Sequence, residues 1–320
     1  MTAEPRARVR RRPVHGVLLL DKPVGLSAQA AVSRVKALLA AEKAGHTGTL
    51  DPLASGLLPV CLGAATKFAQ VQLEADKAYE AVLRLGVRTS TGDAEGEVIA
   101  TAPVEAERLT PARLAELARR FTGVIEQIPP MHSALKKDGK ALYEYARAGV
   151  ELERAPRRVT IHALELEPLP HDPAALRLRV RCSKGTYVRT LAEDLGAALG
   201  CGAHLSALRR TATGPFELAE AVTLEQLEQA TMPQRLQWLR PPEALLHGWP
   251  QVTLEEGEAA RFLSGLRRRG RWPDAEAVAV FGAKPRALLG SGRCQGGELI
   301  PVRLLAPTEI AQWLTQTHAS

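Results

Sequence analysis

From Gly45 to Val60 the chain reads Gly-His-Thr-Gly-Thr-Leu-Asp-Pro-Leu-Ala-Ser-Gly-Leu-Leu-Pro-Val, and few backbone paths suit it. Gly45, Gly48 and Gly56 permit positive φ or the close approach of a second backbone, while Pro52 fixes its own φ and turns Asp51 away from the helical region. Such a segment presents its side chains rather than burying them. Taken alone, an Asp-Pro pair belongs most often to a tight turn in which the carboxylate caps the adjoining segment, here Leu53 to Leu58. A single acid held this firmly on both sides also suits a reactive group, and Asp51 is the candidate catalytic residue.

The flanking chain supplies the frame. Val17 to Leu20 is short and apolar enough for a buried strand, broken by Lys22-Pro23-Val24-Gly25. Ser27 then caps a helix running to about Glu42, with Val32, Val35, Leu38 and Leu39 on one face. Residues 77 to 87 alternate as a strand, placing Tyr79 on the same side as Ala81, Leu83 and Leu85, the position of a core tyrosine. Thr110-Pro111 opens a helix that ends before Gly123. Pro129-Pro130 enforces an extended segment, and Asp138 to Gly149 reads as a further helix. From Ala175 to Ser183 apolar residues alternate with Arg177, Arg179 and Arg181, a half-buried strand whose open face is solvated or touches phosphate. That strand ends at Lys184-Gly185, and Thr186-Tyr187-Val188-Arg189 enters a helix closing near Gly200. Thr223 and Gln226 form a capping box. Prolines at 233, 241, 242 and 250 mark a boundary, after which a helix capped at Thr253 and closing at Gly265 precedes strand-like runs at 277–281, 286–289 and 299–305.

At 320 residues a large core domain with a smaller companion is expected. Lys plus Arg number 42 against 35 Asp plus Glu, a net +7 that favours a polyanionic partner without choosing among RNA, DNA and an acidic membrane. Arg6, Arg8, Arg10, Arg11 and Arg12 form a basic arm over residues 1–12, expected to be disordered, and Arg267, Arg268, Arg269 and Arg271 form a second run. Cys61, Cys182, Cys201 and Cys294 are too scattered for a disulfide framework or a zinc site. No apolar run reaches the length of a membrane span, and neither a phosphate loop nor a dinucleotide fingerprint is present. The composition points to a soluble, cytoplasmic protein, and no heptad points beyond a monomer.

Five segments, in order, resemble those of the TruB-type tRNA pseudouridine-55 synthases. They are His15-Gly-Val-Leu-Leu-Leu-Asp-Lys-Pro23, the Gly45 to Gly56 loop, Lys77-Ala-Tyr79, Ser133-Ala-Leu-Lys136 with Gly139 to Glu144, and Cys182-Ser-Lys-Gly-Thr-Tyr-Val-Arg-Thr-Leu191. The resemblance implies an α+β fold: a pseudouridine synthase core over residues 13–245, with a mixed, largely antiparallel sheet flanked by helices, and a small β-rich PUA-like RNA-binding domain over 250–315. It implies a cofactor-free isomerisation of uridine 55 in the T arm of tRNA. Asp51 would be the nucleophile and Arg189 its partner. Tyr79 would stack on the uracil, Tyr187 would lie at the reacting ring as candidate acceptor of the C5 proton, and Leu208 would be an apolar wall. His46 would fill the space of the flipped nucleotide, and Lys22 would support the loop. No metal and no obligate protein partner are implied. The alternative is an RNA-binding, tRNA-folding protein that acts without catalysis.

Overall fold

The computed structural model describes residues 10–318. Its main sheet runs from edge to edge through Val222–Thr223, Gly16–Lys22, Ala54–Leu62, Ala203–Thr213, Lys77–Leu85, Asp172–Cys182, Arg157–Leu169 and Gly123–Gln127. Neighbours along this path are antiparallel at all but two junctions. The first sits at the edge, between Gly16–Lys22 and Val222–Thr223. The second is central: Ala54–Leu62 lies parallel to Ala203–Thr213, with Leu208 beside Ala54, Arg209 beside Ser55 and Arg210 beside Gly56.

Two helices cover one face of this sheet. Ala28–Leu38 begins at Ser27, whose hydroxyl accepts the Ala30 N–H at 3.1 Å, and buries Ala28, Ala31, Val32 and Val35. It stops four residues short of the expected Glu42, because Ala40 turns to φ 49° and Arg12 bonds to both Ala40 and Glu42 through its backbone. Arg12, expected in the arm, is thus pinned to the core; Arg6 and Arg8 lie outside the described residues. The second helix, Val188–Leu199, ends on the left-handed Gly200 and buries Val188, Leu191, Ala192, Leu195 and Leu199. Each fully buried leucine of this kind contributes about 1.5–3 kcal/mol. Two apolar cores result, and Tyr79 and Leu208 pack against both. The seam between the cores is where the chemistry will sit.

Two readings change. The helix expected over 138–149 is confined to Leu142–Arg147, because Asp138 (φ 52°) and Gly139 (φ 80°) turn a two-residue hairpin between Lys136–Lys137 and Lys140–Ala141. Thr253 caps nothing; it lies in the strand Gln251–Leu254, and the helix is Glu256–Leu263 after Glu255. The face carrying Arg177 and Arg179 is solvated, the reading favoured over phosphate contact, and these two arginines pair there with Glu80, Glu165 and Glu167 at 3.3–3.8 Å.

A second sheet of five strands is built from Gln251–Leu254, Ala275–Gly282, Ala287–Gln295, Glu298–Leu304 and the short Arg268–Arg269. The chain then forms a helix, Pro307–His318, absent from the sequence reading and reaching past the expected end at 315. Its Gln316 exchanges two bonds with the His15 backbone, at 2.9 and 3.0 Å, and Gln312 Oε1 lies 3.1 Å from His15 Nε2. Glu309 meets Lys67 at 2.6 Å. Beneath these bonds Ala279, Phe281, Leu288 and Leu305 form one buried cluster with Val17, Leu19, Leu57 and Cys61. Among the described residues no helix is long and apolar enough to cross a membrane.

Candidate active site

Asp51 belongs to the loop between Ala44–His46 and Ala54–Leu62, whose carbonyls are held from several sides. Gly25 N–H donates to Pro52 O at 2.8 Å and Ala54 N–H to Asp51 O at 3.1 Å. Arg210 donates to Gly48 O at 3.2 Å, Thr49 O at 3.4 Å and Leu57 O at 2.8 Å. A fully enclosed guanidinium thus binds both the loop and the strand after it. The approach that allows this depends on Gly56, where a Cβ would stand 2.3 Å from Arg210 O. Held by its backbone, the loop leaves the Asp51 side chain 40% exposed.

Among the described residues, that carboxylate forms one ion pair. Arg189, in the first turn of the helix Val188–Leu199, is 6% exposed and places Nη2 3.1 Å from Asp51 Oδ2. Its Nη2 also donates to His132 O at 2.7 Å and its Nη1 to Thr91 O at 3.1 Å, while Asp93 Oδ2 lies 3.6 Å from Nη1. Asp93 is buried and itself held by Thr91 Oγ1 at 2.5 Å and Glu95 N–H at 3.1 Å. The guanidinium therefore lies between a buried acid that anchors it and an accessible acid that it pairs with.

The pair opens on a cavity of about 550 Å³ whose walls include Tyr79, Tyr187, Leu208, Arg210 and Ser133. Sheet order brings them together: Tyr79 lies opposite Arg210 on one side and Val180 on the other, and Leu208 opposite Ala81. Burial raises the Tyr79 phenol above the usual tyrosine range, with Arg210 acting against that rise. Tyr187 is also raised, by burial, while Ser133, Arg157 and Arg189 pull it back. Lys77 is drawn down to about 8 by burial; its ammonium donates to Leu73 O at 2.8 Å and Ala75 O at 2.5 Å beneath the cavity floor.

His46 and Lys22 are not among the residues that line the cavity. His46 Nδ1 accepts the Gly48 N–H at 3.2 Å, which requires that nitrogen unprotonated, and burial followed by Arg210 lowers the imidazole. Lys22 is fully enclosed, donates to Leu26 O at 2.6 Å and Pro23 O at 2.8 Å, and is lowered to about 8 by burial, with Asp51 opposing. Arg210, Asp93, Lys77, Gln127 and Ser133 carry site contacts that the sequence reading assigned to no role. Arg210, Lys77 and Gln127 sit in strands and Asp93 and Ser133 in connecting segments, and only their partners reveal them. A larger groove of about 710 Å³, between Pro111–Arg120 and Arg157–Leu169, has no such convergence of polar groups.

The fold has solved counterparts. The archaeal box H/ACA sRNP Nop10-Cbf5 complex contains a chain that aligns over 92% of this one and 87% of its own length, at TM-score 0.68 and 25% identity. A Cbf5-Nop10-Gar1 complex gives 0.68 and 27%, over 94% and 87%. Residues 36–188 match the TruB family pseudouridylate synthase (N terminal domain), and 189–246 match the tRNA pseudouridylate synthase B C-terminal domain. The tRNA pseudouridine synthase B of Verminephrobacter eiseniae is 61% identical over 316 residues, 98% of this chain and 96% of that protein, and that of Ralstonia nicotianae 59% over 306 residues, 93% and 96%. The chain belongs to the TruB family of tRNA pseudouridine synthases.

Proposed function

We propose that this enzyme converts uridine 55 in the T arm of tRNA to pseudouridine, with Asp51 as nucleophile acting on a base flipped into the cavity. The observation that carries the reading is the 3.1 Å Asp51–Arg189 pair at the mouth of an aromatic-walled cavity. An accessible carboxylate oriented by a buried guanidinium suits a nucleophile; a glycosidase would want a second carboxylate flanking the bond. The choice of position 55 comes from the family resemblance.

The Asp51 oxygen has two electrophilic carbons in reach of such a base, C1′ and C6. By either route the N1–C1′ bond breaks, the ring turns, C5 bonds to C1′ and the carboxylate is released. The C5 proton leaves to a base and N1 gains one, so atoms and electrons balance without cofactor or energy source. Tyr187 is the acceptor in this reading. Tyr79 stacks on the ring, Leu208 excludes water from its edge, and His46 occupies the space the nucleotide vacates. Extruding the nucleotide costs a few kcal/mol, offset by these contacts. Residues 13–245 form the catalytic unit, and the β-rich unit from 250 is a PUA-like RNA-binding domain. The enzyme works as a cytoplasmic monomer on the T arm.

Unmodified tRNA transcript labelled at C5 of uridine, incubated with the enzyme alone, tests this. Label release should come from T-arm position 55 alone. Asp51→Asn should slow it by at least about 10⁴-fold while leaving tRNA affinity within a fewfold. Tight binding without release would leave the RNA-folding alternative standing.

A further inference from the structure

Tyr187 has no side-chain cap for the helix it introduces, and at φ −100°, ψ 108° it is extended backbone at a strand-to-helix junction. What holds it comes from elsewhere. Gln127, the last residue of the edge strand Gly123–Gln127, is 2% exposed, and its amide clasps the Tyr187 backbone. Oε1 accepts the Tyr187 N–H at 3.0 Å and Nε2 donates to the Tyr187 carbonyl at 3.2 Å. Both peptide groups flanking the Tyr187 Cα are therefore fixed by a single side chain.

Six residues on, Ser133 closes the other end. Its backbone is committed: its N–H bonds to Met131 O at 2.9 Å and its carbonyl accepts the Tyr143 N–H at 3.1 Å. Its Oγ is sealed from solvent and has no hydrogen-bond partner among the described residues, and Ser133 lines the same cavity as Tyr187. A buried hydroxyl left idle costs folding free energy, and retaining one calls for a use. Between the two ends, His132 O accepts Arg189 Nη2 at 2.7 Å, and Pro129-Pro130 stiffens the connection.

We propose that residues 127–133 form a positioning strap for the reaction, Gln127 fixing the Tyr187 backbone and Ser133 donating its hydroxyl hydrogen to the Tyr187 phenol oxygen. This rests on the reading of Tyr187 as acceptor of the C5 proton. In that step the phenolate oxygen takes the C5 proton and the C–H electron pair becomes the C5–C6 double bond; on the C1′ route N1 is protonated as its double bond to C6 is lost, and on the C6 route the Asp51 carboxylate leaves C6 with its electron pair. Ser133 stabilises the phenolate before transfer and keeps the ring aimed. Because the strap also holds Arg189, the acceptor and the Asp51 ion pair are set by one piece of backbone.

Single-turnover rates on the labelled transcript, measured from pH 6 to 9.5 with tRNA affinity and melting temperature alongside, test the strap. Ser133→Ala should bind tRNA as wild type, lose about tenfold in rate, as for one hydrogen bond to a charged group, and carry its alkaline rise about one pH unit higher. Ser133→Thr should restore both. Gln127→Met should lose on the order of a hundredfold in rate with KM little changed, and Gln127→Glu, which keeps the acceptor but not the donor, should fall between. In a Tyr187→Phe background Ser133→Ala should cost nothing further. A slow Tyr187→Phe enzyme beside Ser133→Ala and Gln127→Met enzymes with wild-type rates and pH profiles overturns the strap alone. A Tyr187→Phe enzyme at full rate overturns the acceptor reading, and the strap with it.

Discussion

Arg189 meets Asp93 on its buried side and Asp51 on its open side, and two backbone carbonyls take its remaining hydrogen-bonding directions. Arg189→Met would strand Asp93 in the interior, and breaking a buried pair from one side costs about 3–5 kcal/mol. Its melting temperature should fall accordingly in calorimetry. Arg189→Lys keeps the charge and should fold, but one ammonium cannot span both acids and both carbonyls. It should lose roughly 10²-fold or more in single-turnover rate with tRNA affinity retained. An Arg189→Lys enzyme at wild-type rate would mean that charge alone, not the fork, holds Asp51.

Among the elements, those carrying a strict pattern were legible and those made by partners were not. The strands at 16–22, 77–85 and 172–182 and the helix Pro111–Arg120 announce themselves through alternation or caps. Ala203–Thr213 does not: its pairing with Lys77–Leu85 slips between Leu205 and Ala207 and again between Arg210 and Ala212, which breaks the two-residue period. Its role beside the catalytic loop is invisible without the parallel partner. Asp51, Arg189, Tyr79, Tyr187 and Leu208 line one cavity. Arg210 and Gln127 escaped, because each acts on backbone atoms that sequence cannot locate. Gly56→Ala tests the parallel junction, since the added Cβ would stand 2.3 Å from one backbone atom of Arg210 and 2.8 Å from another. The strands must part, at a cost of about 1–3 kcal/mol or more. Thermal unfolding should move down and activity fall with it; an unchanged enzyme would show that the two strands are free to separate.

For the whole molecule, the C-terminal helix ties the small sheet to the first strand of the large one. Ending the chain before Pro307 removes the Lys67–Glu309 pair and the bonds to His15, a loss of about 3 kcal/mol that should lower melting by roughly 6–12 °C. Melting unchanged by the truncation would assign the helix to the small sheet alone. Stability should also depend on pH in a particular way. Burial puts Lys22 and Lys77 at about 8 in the folded chain against 10.5 when unfolded, so above pH 8 the unfolded state binds more protons and stability rises. Cys61 and Cys182 are pushed up to about 12 and about 11 from 9.0, so above pH 9 the folded state keeps thiol protons that the unfolded chain loses, and this opposes the lysines. Denaturant melts should therefore climb from pH 8 to 9 and level off beyond it; a flat or falling curve between 8 and 9 would contradict the buried lysines. The central parallel junction has an effect in time as well as in space. Ala54 finds its neighbour Leu208 154 residues further along the chain, and parallel pairing of such separation is slow to form. A nascent chain leaving the ribosome carries Asp51 early yet lacks the strand beside its loop until more than 150 further residues have emerged. The half-made protein therefore cannot act on the tRNAs that crowd around its own synthesis.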